Sequence, residues 1–260
     1  PDGDRYELFT GNETGALLLE YICKERIALG KMPNNPVAVK TIVTSDITKA
    51  ICAKYGVELR EVLTGFKFIG EQIGLLEKDG EENRYIFGFE ESYGYLAGGY
   101  VRDKDAVVAS MLICEMAAYY RTKGVTLIEA RKKMYDEYGV YFNKLDNFTC
   151  EGASGMERMK EIMAGLRANA PKVIGGLNVL AVTDYTTSVK TMADGSTSNV
   201  TLPKSDVITY NIEDDASVII RPSGTEPKIK VYYTTKGVDK PAAVALQEKL
   251  SADFTKILGF

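Results

Sequence analysis

Strand-like and helix-like runs alternate through the first half of the chain, and that alternation restricts the fold more than any other feature. Val37 to Val43 is a β-branched apolar run that reads as a buried strand, Val57 to Leu63 reads as a second, and Tyr85 to Phe89 as a third. Thr44-Ser45-Asp46 offers N-cap chemistry for a helix ending near Tyr55, with Gly56 placed to close it. A further helix opens at Thr64-Gly65 and runs to about Glu77. A strand-turn opening over Pro1 to Phe9 and an apolar-periodic helix from about Glu13 to Leu29 come before. Two helices, near Asp105 to Lys123 and Thr126 to Tyr138, come after. Parallel strands need a crossover, usually helical, so this order predicts βαβ units. The expectation is an α/β domain with a mixed or parallel sheet over 11–150, preceded by 1–10 as a residual strand of another domain.

The remainder has a different texture. A helix from about Gly155 to Ala168 stops before Pro171, and strand-like runs follow at Val173 to Val182, Val207 to Asn211, Ser217 to Ile220 and Ile229 to Thr234. A helix from Pro241 to Leu258 closes the chain, and Thr186 to Ser205, rich in Ser, Thr and Gly, reads as an exposed loop or hairpin. Runs of strands flanked by helices predict a smaller α+β domain over 151–260.

With 260 residues, one large or two smaller domains are expected. The formal net charge of -4, with no basic stripe, argues against general nucleic-acid binding. No apolar run approaches the roughly 20 residues of a membrane span, and no signal-peptide pattern opens the chain. Cys23, Cys52, Cys114 and Cys150 are scattered without paired metal spacing, so they read as reduced thiols of a cytoplasmic protein, the first three in core-like helical contexts. The chain contains no histidine, which excludes Ser-His-Asp catalysis and histidine-ligated zinc and leaves acid–base chemistry to Glu, Asp, Lys or Tyr. It opens at Pro1 without an initiator methionine, consistent with a piece of a longer protein.

Three loops carry candidate chemistry. Arg221-Pro222-Ser223-Gly224-Thr225-Glu226-Pro227 joins two strand-like runs. Arg221 offers a planar fork for phosphate oxygens, Ser223 and Thr225 add hydroxyls, Gly224 lets backbone N–H groups converge, and the prolines stiffen the loop. An ordinary Pro/Gly turn with a solvated arginine is the alternative. The third strand ends in Gly88-Phe89-Glu90-Glu91-Ser92-Tyr93-Gly94, where period-two geometry places Glu90 and Ser92 on one face. Carboxylate beside hydroxyl at the C-terminal end of a parallel strand suits sugar hydroxyls, with Gly94, Gly98 and Gly99 as a pliable closing loop; a solvated acidic turn is the alternative. Arg102-Asp103-Lys104-Asp105 is either a capped helix start or a source of two cations facing Glu90. Lys67 of Thr64-Gly65-Phe66-Lys67 lies near a helix N-terminus, where anions are favoured.

Taken in order, Thr10-Gly11-Asn12, Thr64 through Gly70, Gly88 through Gly94, Arg102 through Asp105 and Arg221 through Pro227 resemble the α-D-phosphohexomutase family of phosphoglucomutases and phosphomannomutases, over nearly the whole chain. The resemblance implies that Glu90 and Ser92 read hexose hydroxyls and that Lys104 lies near the transferring phosphate. It implies too that Arg221, Ser223, Gly224 and Thr225 hold the non-reacting phosphate, with Lys67 and Arg102 as further substrate contacts. Ser92 followed by Tyr93 and Gly94 looks more like the phosphoglucomutase form, favouring glucose 1-phosphate, glucose 6-phosphate and glucose 1,6-bisphosphate as ligands. Family members interconvert hexose 1- and 6-phosphates with a phosphoserine and a Mg2+ held by an Asp-x-Asp-x-Asp-Arg loop. Asp2 and Asp4 are not assigned to that loop, because only Tyr6, Glu7, Leu8 and Phe9 separate Arg5 from Thr10, and Pro1-Asp2-Gly3 is a good turn. The resemblance therefore implies the sugar-reading and phosphate-anchoring half, the family's third and fourth domains, without metal and inactive alone. A free-standing phosphosugar-binding or regulatory module and a phosphomannomutase fragment are the alternatives.

Overall fold

The run that begins at Val37 forms the strand β1 (Val37–Thr41), buried at all five positions. It pairs in parallel with β2 (Glu58–Val62) on one side and β3 (Tyr85–Glu90) on the other. A strand between two neighbours and under helices meets no water, which is why its sequence is nearly continuous in apolar residues. These strands belong to a computed structural model that describes residues 6–152 and 154–260. By its internal contacts the chain divides into two units, Pro1–Gly139 and Val140–Phe260.

In the first unit the helices α1 (Gly11–Ala28), α2 (Ile47–Tyr55) and α3 (Phe66–Lys78) alternate with the parallel strands, and α4 (Ala106–Thr122) and α5 (Leu127–Tyr138) follow. Their ends obey local chemistry. Thr10 and Glu13 form a reciprocal capping box on α1, as Thr126 and Glu129 do on α5, and Gly56 closes α2 at φ +65°. In α3, Phe66, Ile69, Ile73 and Leu76 recur at three- and four-residue steps, and this face packs with Val37, Val39, Val62, Tyr85 and Leu96. Each such side chain contributes about 1.5–3 kcal/mol on burial. The glycine-containing segment read as a closing loop instead starts as a strand, β4 (Gly94–Leu96), folded back antiparallel on β3 so that Glu90 lies opposite Gly94. The sheet order is β2-β1-β3-β4.

The second unit is antiparallel. Its strands are β5 (Val140–Thr149), β6 (Val173–Ile174), β7 (Leu177–Asp184), β8 (Val189–Met192), β9 (Thr197–Asn199), β10 (Ile208–Ile212), β11 (Ser217–Pro222) and β12 (Lys228–Gly237). The principal sheet runs β5-β12-β11-β10-β7-β8-β9. Helices α6 (Gly155–Ala168) and α7 (Lys240–Leu258) supply Met159, Met163, Leu166, Leu250, Phe254 and Leu258 to a core with Tyr210, Val218, Ile220, Ile229 and Val231. An α/β unit followed by an α+β unit is the predicted fold class.

Three expectations are corrected. The segment 140–149, assigned with 11–150, is an edge strand of the second sheet, paired with β12 along its whole length, from Val140 opposite Gly237 to Thr149 opposite Lys228. An edge strand is half-solvated, and its partner is distant in sequence, so its pattern carries no burial signal. The expected opening strand is absent over Tyr6–Phe9, while Pro1–Arg5, with Asp2 and Asp4, lie outside the described residues. Cys114 is exposed rather than part of a core, although Cys23, Cys52 and Cys150 are buried. Among the described residues no helix is long and apolar enough to cross a membrane.

Candidate functional site

Polar side chains of the first unit gather where β1, β2 and β3 end, the edge at which open parallel sheets bind ligands. Glu90 is the last residue of β3 and is buried. Its Oε1 accepts a hydrogen bond from the Gly65 N–H at 3.0 Å. Gly65 is the N-cap of α3 at φ +126°, a conformation that favours glycine, so the backbone can turn its N–H to the carboxylate at the positive end of the helix. The other oxygen, Oε2, lies near Gly94, where an added methyl would come within 3.2 Å of both it and the Phe66 ring.

Ser92 does not share a strand face with Glu90. The strand stops at Glu90, and Glu91, Ser92 and Tyr93 form a tight turn in which Tyr93 takes φ +66° and Ser92 is exposed at the tip. Lys104 is brought toward this edge: its Nζ stands 5.7 Å from the centroid of the Phe66 ring and 3.1 Å from Asp103 Oδ1. Lys67 is exposed, its Nζ 4.8 Å over the Phe68 ring. Arg102 is not brought to Glu90. Its Nη2 donates to Glu77 Oε2 at 2.7 Å, and its Nη1 donates to the carbonyls of Gly99 and Val101. With a rise of about 1.5 Å per residue, Glu77 lies roughly 15 Å along α3 from its N-terminus. Asp105 is the helix cap, accepting from Val107 N–H at 2.9 Å and Val108 N–H at 3.0 Å. The Tyr100 hydroxyl and those amides hold its carboxyl below the usual range.

Two residues at this edge were missed. Lys40 is fully buried within β1, donating to the Thr44 carbonyl at 2.8 Å and Asp46 Oδ1 at 2.6 Å, with Glu61 at 3.0 Å. Burial alone would raise the Asp46 pKa, but Lys40 and Lys49 outweigh it and hold the carboxyl below its ordinary value. A lysine inside an otherwise apolar strand was the available signal. Thr64, just past β2, has a buried Oγ1 with no hydrogen-bond partner among the described residues. Such a group is completed by water or ligand.

In the second unit Arg221 lies at the end of β11, and the loop after Pro222 leads to β12. The guanidinium has no hydrogen bond or ion pair among the described residues, and Lys230, directly opposite in the antiparallel register, is equally uncommitted. Like charges facing across a ladder are unfavourable unless an anion lies between them. Lys230 was not singled out in the sequence, because its facing Arg221 depends on the hairpin register. The loop amides are partly engaged. Ser223 N–H donates to the Lys228 carbonyl at 2.7 Å, and Thr225 and Glu226 N–H point at Ser223 Oγ at 3.4 and 3.2 Å. Convergence of amides is therefore centred on the serine hydroxyl rather than on Gly224, which is exposed with open space where a Cβ would stand. Among the described residues no group of three or more His, Cys, Asp or Glu side chains could hold a metal ion.

The arrangement defines a two-unit protein, α/β then α+β, whose polar groups collect at parallel-strand ends and at a cationic hairpin tip. The phosphoglucomutase/phosphomannomutase alpha/beta/alpha domain III model matches residues 10–138, and the C-terminal domain model of the same family matches 208–251. The chain belongs to this family. A phosphoglucomutase of Staphylococcus aureus (strain bovine RF122 / ET3-1) is 40% identical over 248 residues, covering 91% of this chain and 44% of the relative. That of strain MRSA252 is 39% identical over 251 residues, covering 92% and 44%. The chain thus spans less than half the length of the curated relatives it matches. Among solved structures, the exocytosis-sensitive phosphoprotein pp63/parafusin, a phosphoglucomutase from Paramecium, superposes in its open form with TM-score 0.65 at 20% identity, covering 97% of this chain and 43% of that one. A phosphoglucomutase/phosphomannomutase family protein from Burkholderia thailandensis gives 0.55 at 10% identity, covering 96% and 42%. These structures share the fold.

Proposed function

We propose that this chain is the sugar-reading and phosphate-anchoring part of a phosphoglucomutase that interconverts glucose 1-phosphate and glucose 6-phosphate through a bisphosphorylated sugar. Glu90 and Ser92 read hexose hydroxyls, with Glu90 kept in place by Gly65. Arg221, Ser223, Gly224 and Thr225 hold the non-reacting phosphate, and Lys104 and Lys67 add positive charge near the transferring one. Arg102 joins them only by exchanging Glu77 for substrate. The observation that carries the reading is the half-buried Arg221 guanidinium beside the Ser223–Thr225 loop, since a fork with no partner among the described residues favours an anionic one. Mannose phosphates are the nearest alternative substrates.

The Mg2+ implied by the family would supply charge stabilisation to phosphoryl transfer. The donor set here does not fit it: among the described residues no group of three or more His, Cys, Asp or Glu side chains could hold a metal ion. What this chain contributes is positioning and local charge, the main devices of phosphoryl transfer. We place the protein in the cytoplasm, in keeping with four free thiols and soluble phosphosugar substrates.

Calorimetric titration with glucose 1-phosphate and glucose 6-phosphate tests the reading. Salt-sensitive binding that disappears in Arg221→Ala is expected, together with no interconversion of the two sugars by the chain alone. Binding that survives Arg221→Ala unchanged would remove the loop from the site.

A further inference from the structure

The proposed sugar-reading turn does not hold its own shape. Tyr93 takes a left-handed φ that a non-glycine residue adopts only under strain, so the surroundings must hold it there. Those surroundings are the first turn of α1. Gly11 lies against the Glu91 carbonyl oxygen and the Tyr93 amide so closely that a methyl at Gly11 would overlap the backbone of the turn. Its φ is not positive, so glycine is required by space rather than by conformation, despite its lower helix propensity than alanine.

Two tyrosines of the turn and of β4 reach back to the same place. The Tyr95 hydroxyl donates to the Gly11 carbonyl at 2.9 Å in a buried bond, and the Tyr93 hydroxyl donates to the Phe9 carbonyl at 3.1 Å. The same helix turn also secures the end of β1, because Asn12 Oδ1 accepts from the Ser45 N–H at 2.9 Å. Thr41, at the end of β1, closes the circuit through Glu91 Oε2 at 3.5 Å.

We propose that the N-terminal turn of α1 is the mould of the sugar-reading turn, with Gly11 and Tyr95 as positioning residues for Glu90 and Ser92. Neither touches the sugar. They fix the turn before the ligand arrives, so that binding does not have to order it. This inference rests on the assignment of Glu90 and Ser92 as sugar contacts.

The test compares the chain with its Tyr95→Phe and Gly11→Ala variants. Amide hydrogen exchange over Glu91 to Gly94 is measured without ligand, and affinity is measured for glucose 1-phosphate and for inorganic phosphate. Tyr95→Phe keeps the ring and removes one buried hydrogen bond. It is expected to speed exchange in the turn and to weaken glucose 1-phosphate about three- to tenfold, the range one neutral hydrogen bond is worth. Inorganic phosphate affinity should stay unchanged and the melting temperature should fall only by the few degrees that one buried hydrogen bond is worth, whereas general loosening would lower both further. Gly11→Ala should act in the same direction and more strongly; if it fails to fold, Tyr95→Phe decides. Unchanged exchange in the turn overturns the proposal, as does equal weakening of both ligands. If the unaltered chain binds no glucose 1-phosphate, the functional reading fails for this chain, and exchange alone then decides whether α1 moulds the turn.

Discussion

Lys40 concentrates much of the first unit's electrostatics in one side chain. Its ammonium is fully buried and has three oxygen partners, while Asp46 and Glu61 keep 26% and 38% of their side-chain surface in water. Removing one member of a fully buried pair costs about 3–5 kcal/mol; because these carboxylates stay hydrated, Lys40→Met is expected to cost about 2 kcal/mol at pH 7. The loss depends on pH with a definite sign. Asp46 has a folded pKa below its unfolded value, so its contribution is fully present above the unfolded pKa of about 4 and disappears as pH falls through the folded one. Urea unfolding of the two proteins should therefore differ most at neutral pH and converge as pH falls below about 4; a gap that stays constant would show that Lys40 acts by packing alone. The types of the candidate site residues are read from the sequence, but their engagement is not. Arg102 lies in a loop and Arg221 at the end of β11, and the two are the same residue type, yet Arg102 is taken by Glu77 while Arg221 has no hydrogen-bond or ion-pair partner among the described residues. Which of the two happens depends on what the fold brings alongside.

At the scale of elements, helices were readable because their determinants are local. Apolar periodicity, the Thr10–Glu13 and Thr126–Glu129 boxes and Gly56 each act within a few residues. Of the strands that escaped notice, one is too short to carry a periodic signal and the other depends on a remote partner. β4 is three residues long and exists by pairing with β3, and β5 exists by pairing with β12. Ser251 of α7 adds a hydrogen bond to Asp146 of β5 at 2.6 Å. A polypeptide of residues 140–260 is accordingly expected to fold, with dispersed amide resonances and a cooperative melt. One of residues 151–260 would leave β12 as a long unpaired edge and should aggregate or melt at markedly lower temperature. Equal behaviour of the two polypeptides would show that β5 is dispensable to the second unit.

The whole molecule has an unusual titration property that follows from composition. With no histidine, no side chain has its ordinary pKa between pH 6 and 7.5, and burial pushes the Cys23 and Cys52 thiols up to about 12. Urea midpoints at pH 6.0, 6.8 and 7.5 should coincide; a slope would reveal a buried group titrating there. By itself the sequence determined the α/β-then-α+β class, nearly all helix positions and the loops at which to look for a candidate site. Those follow from side-chain periodicity, capping and turn chemistry, each of which acts over a few neighbouring residues. Tertiary structure alone decided that residues 140–149 join the second unit and that Arg102 turns to Glu77. It also decided that Lys40 is buried with its carboxylates and that the first turn of α1 presses on the turn after Glu90. Those outcomes hang on contacts between residues far apart in the chain, whose formation depends on the register of the sheets and the packing of helices over them, quantities that no local window contains.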